Sequence, residues 1–192
     1  MTLQTRKPAA CACGCSAHHA ADHDSPALPL VALLGQLGDL LATLDDTQYV
    51  KSPVGAMTSS IGAHVRHSLD HVEAIRHARR TGVVDYDTRV RGTAVEGDRS
   101  AALRAIHDHA EALSKWQPDD LLLDVAMSVL LSADGPPLMV RTTLGRELAF
   151  AVNHTIHHNA MLAAMVATLG GQAPERFGYA PSTVRYLREQ SA

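Results

Sequence analysis

Glu147-Leu-Ala-Phe-Ala-Val-Asn-His154-Thr-Ile-His157-His158 is the stretch on which the fold turns. Thr142-Thr143 precede the run that contains it and Gly170-Gly171 follow Leu169, so a helix of about Leu144 to Leu169 is expected, ended by glycine. Residues four apart on a helix lie about 40° apart around its axis and one turn along it. His154 and His158 can therefore converge on one ion. His157 borders the same face, but neighbouring side chains diverge by about 100°, so only two of the three imidazoles can easily aim at one point.

A second histidine-bearing helix precedes it. Ile61, Val65, Leu69, Val72 and Ile75 repeat at helical spacing between Ser59 or Ser60 and Arg80, and Gly82 ends the run. This segment carries His64, His67, His71 and His77, with Asp70 among them. A metal in a bundle core needs ligands from facing helices. Imidazole suits Zn, Ni, Cu and Fe. One isolated histidine would read as a surface or hydrogen-bonded core residue. Two clusters at i,i+3 or i,i+4 spacing, each on a helix with an apolar stripe, point to a metal site instead. Which of the second helix's histidines takes part is open at this level.

Two further helices complete a four-helix bundle. Leu30, Leu33, Leu34, Leu37, Leu40, Leu41 and Leu44 mark a helix over about Leu28 to Asp45, with Asp45-Asp46-Thr47 as a polar exit. Leu103, Ile106, Ala110 and Leu113 mark another, opening at Asp98 and stopping near Trp116-Gln-Pro118. Residues 83–96 read as a polar connection. Between Leu121 and Thr143 the helical pattern breaks. Leu123-Asp-Val-Ala-Met-Ser-Val alternates, Ala133-Asp134-Gly135 is a turn, and Leu138-Met-Val140 follows, which predicts a short β-hairpin before the last long helix. Ser182 is expected to cap a final helical turn through Val184, Tyr186 and Leu187.

Glu147 lies seven residues, two turns, before His154. It reads as a helix N-terminal acid that complements the dipole, with a role beside the imidazoles as the alternative. Asn153, Arg146, His107 and His109 read as polar surface or as supports of the site.

Composition bounds the rest. The chain has 192 residues, 46% hydrophobic and 19% charged, a size for one domain with a real core. Aromatics are 4%, so Leu, Ala, Val and Ile must build that core. A net charge of −3 implies no broad basic surface and argues against a nucleic-acid partner. No apolar run reaches the length of a membrane span, and Met1 to Ser25 lacks the apolar core of a signal peptide, so a cytoplasmic protein without a membrane partner is expected. All three cysteines, Cys11, Cys13 and Cys15, fall in residues 1–26. That segment has no core-forming pattern and is expected to be a disordered Cys/His-rich tail preceding a domain over 27–192. Its Cys and His residues could capture a metal.

The strings Ile61-Gly-Ala-His-Val-Arg-His-Ser-Leu-Asp-His and Glu147-Leu-Ala-Phe-Ala-Val-Asn-His-Thr-Ile-His-His resemble the DinB-like (DinB/YfiT) superfamily over about residues 27–190. The resemblance implies an all-α four-helix bundle with a metal held by one histidine of the second helix and a His-x-x-x-His pair on the last long helix. Carried over, His67 matches the first ligand, since it precedes Ser-Leu-Asp, and His154 and His158 match the pair. His71, one turn on, is the rival to His67 or a fourth ligand. The resemblance further implies a divalent ion such as Zn, Ni or Fe, a homodimer, and either a thiol-dependent S-transferase acting with a small-molecule substrate or no assigned reaction. The Cys/His-rich tail falls outside that pattern. Three neutral histidines would leave positions on the ion open for water or a thiol. The alternative is a metal-storage, sensing or stress protein without chemistry of its own. No residue is singled out as catalytic, and no organic cofactor is expected.

Overall fold

The computed structural model describes residues 27–53 and 58–191. The expected tail lies outside them.

Four long helices form the bundle: α1 (Ala27–Ala42), α3 (Ile61–Thr81), α5 (Arg99–Ser114) and α6 (Leu144–Thr168). α1 packs against α5 and α6, and α3 against the same two. The leucine stripe of α1 is the reason for its place. Leu30, Leu34, Leu37 and Leu41 alternate at spacings of four and three and are fully buried. Val65, Leu69, Val72 and Ile75 of α3 and Leu144, Leu148, Leu162 and Met165 of α6 meet them in one core. Four of these boundaries have a local cause. The Ser60 hydroxyl accepts from Ala63 N at the start of α3, Asp98 from Ser100 N at the start of α5, and Thr143 from Arg146 N at the start of α6. Gly82 ends α3 at φ 74°, a left-handed conformation open to glycine at little cost.

Four elements differ from the sequence expectation. The polar exit of α1 contains a short helix, α2 (Asp46–Val50), closed by an Asp45–Gln48 capping box. The connection over 83–96 is not structureless. It opens with β1 (Val83–Asp85) and closes with α4 (Ala94–Gly97). The final helical segment, α7 (Pro181–Gln190), starts two residues earlier than expected, with Ala180 at the cap in place of Ser182 and Pro181 in the first turn.

The expected hairpin is present as β2 (Asp124–Val129) and β3 (Leu138–Thr143), paired antiparallel with Asp124 opposite Thr143. β1 joins the other side of β2 in parallel, Val84 opposite Met127, giving a three-stranded sheet in the order β1-β2-β3. β1 leaves directly from α3 and β3 runs directly into α6. The sheet thus ties the C-terminal end of α3 to the N-terminal end of α6 and sets these helices antiparallel. Among the described residues no helix is long and apolar enough to cross a membrane.

Candidate metal centre between α3 and α6

The antiparallel helices lay their histidines against one another in register. His71 stacks on His154, with ring centroids 3.8 Å apart and planes 24° apart. One turn away, His67 meets His154 at 5.0 Å and His158 at 4.7 Å, both edge to face. A further turn on, His64 Nδ1 lies 3.3 Å from His158 Nδ1. His157 is exposed, as the 100° argument requires of one member of that trio.

One nitrogen from each of His67, His71 and His154 lies within 4.8 Å of the other two. In a tetrahedral site with bonds of about 2.0–2.1 Å, ligand nitrogens sit about 3.3–3.4 Å apart. That bound is about 1.4 Å above the spacing of a loaded site, a difference within the reach of side-chain torsions. The donor set fits a divalent transition metal. So does an unsatisfied atom: His154 Nε2 is buried and has no hydrogen-bond partner among the described residues. A buried imidazole nitrogen without a partner is unusual unless a ligand completes it.

His71 is already oriented. Its Nδ1 donates to the His67 carbonyl at 3.0 Å, which leaves the Nε2 lone pair free. Its ring also stacks on Tyr86, with centroids 4.8 Å apart and planes 16° apart. The Tyr86 hydroxyl donates to Glu147 Oε2 at 2.8 Å. The other carboxylate oxygen of Glu147 accepts from Thr142 Oγ1 at 2.7 Å and from Arg146 at 2.9 Å. Glu147 is thus fully buried and more than a dipole-complementing acid at a helix start. It fixes Tyr86, and Tyr86 fixes His71. His67 Nδ1 faces Arg89, whose guanidinium donates to it.

Desolvation by burial is the main cause of low basicity here. It pushes His67 and His158 down to about 3 and His154 to about 4, with neighbouring imidazoles adding to the effect. His71 is lowered as well, by burial opposed by its bond to the His67 carbonyl. The rings are held neutral near pH 7, the form that ligates metal. His109, expected at the surface or beside the site, is neither. It is buried between α5 and α3, accepts from Arg76 at 2.8 Å, and is pushed down to about 4 by burial and by that cation. Asn153 is exposed and donates to Ala149 O. Tyr86 and Arg89 escape sequence reading because they sit in the connection after β1, where no periodicity marks a face.

A helical bundle with a small sheet at one end and a histidine cluster between its second and last long helices defines the class. The chain has the fold of the DinB-like proteins: it matches the crystal structure of one from Bacillus subtilis with a TM-score of 0.57 and 15% identity, over 79% of this chain and 96% of that one. No family model matches the chain. FK506-binding protein 5 of Rhizopus delemar is 32% identical over 109 residues, which are 56% of this chain and 28% of the fungal protein. The chain thus matches less than a third of that relative's length.

Proposed function

We propose that the cluster holds one divalent transition-metal ion, Zn, Ni or Fe, and that the protein uses it on small molecules as a thiol S-transferase or hydrolase. The observation that carries this reading is the gathering of one nitrogen each from His67, His71 and His154, together with the buried, partnerless Nε2 of His154. His67 and His154 are common to the set that resemblance implies and to the set whose nitrogens lie closest together. His158, at i,i+4 from His154, completes the set that spacing and resemblance favour. His71, with its tautomer fixed, completes the set whose nitrogens are best gathered.

A bound ion would lower the pKa of a coordinated thiol or water and so make a nucleophile available near neutral pH. The chain's own residues do the remainder. The imidazoles stay neutral through burial, Tyr86 and Glu147 hold His71 in place, and the bundle limits access of water to the helix-facing side. The folded domain has no cysteine, since all three lie before residue 27, so the thiol must be a cosubstrate or come from that segment.

Metal analysis of purified protein tests the first half. About one ion per chain is expected, and the His67→Ala/His154→Ala double variant should hold none; full occupancy in that variant would refute the site. Turnover of an electrophile with low-molecular-weight thiols, present in the metal-loaded chain and absent after chelation, tests the second. A metal-handling protein without chemistry is the competing reading, favoured by Cys11, Cys13 and Cys15 with His18, His19 and His23. It predicts that removing residues 1–26 lowers the number of ions bound per chain.

A further inference from the structure

His158 is the imidazole that spacing assigns to the ion, yet it stands outside the gathered nitrogens of His67, His71 and His154. Its Nδ1 is turned to a different partner. That atom lies 3.3 Å from Nδ1 of His64, with the ring centroids 5.5 Å apart and the planes 42° apart. Two neutral imidazoles can meet in this way through one shared proton, but the distance is long for an N–H donor, whose bonds to oxygen run about 2.7–3.2 Å. It is also the separation of two nitrogens on one tetrahedral ion, about 3.3–3.4 Å with bonds of about 2.0–2.1 Å. The pair already has the spacing that the inner three would reach only by closing.

Nothing else holds these two rings in one tautomer. Their mutual contact is the only hydrogen bond either makes among the described residues. With the proton of each ring on Nε2, both Nδ1 atoms present lone pairs to the same point. The pair lies one turn beyond His67, at the end of the cluster away from Tyr86 and Glu147. His64 is half-buried there and the neighbouring His157 is exposed, so solvent reaches this end.

We propose that His64 and His158 form a second, outer metal position that takes a divalent transition metal between their Nδ1 atoms, while His67, His71 and His154 hold the inner ion. This rests on the metal reading of the cluster, with His71 rather than His158 in the inner set. The outer ion has two protein ligands instead of three, and the inner ion's charge lies one turn away. It is therefore the weaker of the two, completes its coordination with water, and fills only when metal is in excess.

Equilibrium dialysis of the full-length chain against rising Zn(II), with bound zinc counted per chain, tests this. Wild type, His64→Ala, His64→Cys, His158→Ala and His71→Ala are compared. Residues 1–26 are present in every protein, so any zinc they hold cancels in the differences. His64→Ala and His158→Ala should keep the tight ion and bind about one ion fewer than wild type at saturation. His64→Cys puts a zinc donor back and should recover that ion. His71→Ala should lose the tight ion and keep the weak one. His64 is half-buried, so its variants keep the test open should His158→Ala misfold. Equal saturation of wild type and His64→Ala would overturn the proposal. So would loss of the tight ion from folded His64→Ala or His158→Ala, which would put that ring in the inner set. Tight zinc binding undiminished in His67→Ala/His154→Ala would overturn the metal reading of the inner group together with it. A tight ion lost in that double variant, with saturation indifferent to His64, would overturn this inference alone.

Discussion

Tyr86 shows how one side chain outside the histidine motifs governs the cluster. Its ring lies on His71 and its hydroxyl donates to the buried Glu147 carboxylate. Burial and that carboxylate push the phenol's pKa up, so it remains a donor throughout the working range. Tyr86→Phe keeps the stacking and removes the donor. A bond to a charged group contributes about 1.5–3 kcal/mol, so urea unfolding should show a loss of that order. A change under about 0.5 kcal/mol would mean that Thr142 and Arg146 satisfy Glu147 without it. The choice between His71 and His158 is decided at the same scale. His158→Ala should release metal far more readily than His71→Ala if the His67, His154, His158 set holds the ion; the reverse order assigns the set with His71. Equal losses would indicate four ligands and weaken the case for catalysis, since an open position would be gone.

At the scale of elements, contact distance decides what is tolerated. A Cβ on Gly62 would lie 2.1 Å from the carbonyl oxygen of Glu96 and 2.8 Å from the Tyr49 ring. The backbone of α3 touches that of α4 there, and Tyr49 secures the same junction by donating to Val95 O at 2.6 Å. Gly62→Ala must push α4 away, and overpacking of this kind costs about 1–3 kcal/mol, readable as a lower midpoint in thermal unfolding. The sequence displays the α3 stripe but not this constraint, because Gly62 is one more small residue until α4 is known to lie on it. The same division runs through the fold. The four long helices are legible because each carries three or more turns of apolar periodicity, and α3, α5 and α6 each open at a capping side chain. The hairpin is legible from alternation around Asp134-Gly135. β1 is three residues long, too short for a period to register, and α2 and α4 are single turns. The histidines of the site are visible from spacing, whereas Tyr86 and Arg89 reach them from a connection whose course depends on β1 pairing with β2.

The whole molecule carries a charge cost that acid should reveal. His67, His154, His158 and His109 are all pushed well below the usual imidazole value by burial, so the folded chain holds them neutral where the unfolded chain would protonate them. Between an unfolded value of about 6.5 and the lowered folded values, the unfolded state binds more protons, and stability rises with pH. That stability is fully present above about pH 6.5 and is lost as pH falls towards 4. His109 isolates one contribution, since it lies outside the cluster and against Arg76. Its fall to about 4 corresponds to about 3 kcal/mol over that window, at about 1.4 kcal/mol per pH unit. His109→Gln keeps an acceptor for Arg76 and removes the titration. Urea unfolding of the metal-free protein between pH 7 and pH 4 should then show a shallower loss than wild type by about that amount. A bound ion acts on the same balance through the other three histidines. Zinc at a hundredfold excess over its dissociation constant should stabilise the fold by about 2.7 kcal/mol at pH 7, and the effect should persist in His109→Gln while vanishing in His67→Ala/His154→Ala. Identical pH profiles for wild type and His109→Gln would show that His109 is not neutral in the folded chain, and zinc stabilisation surviving the double variant would place the ion elsewhere.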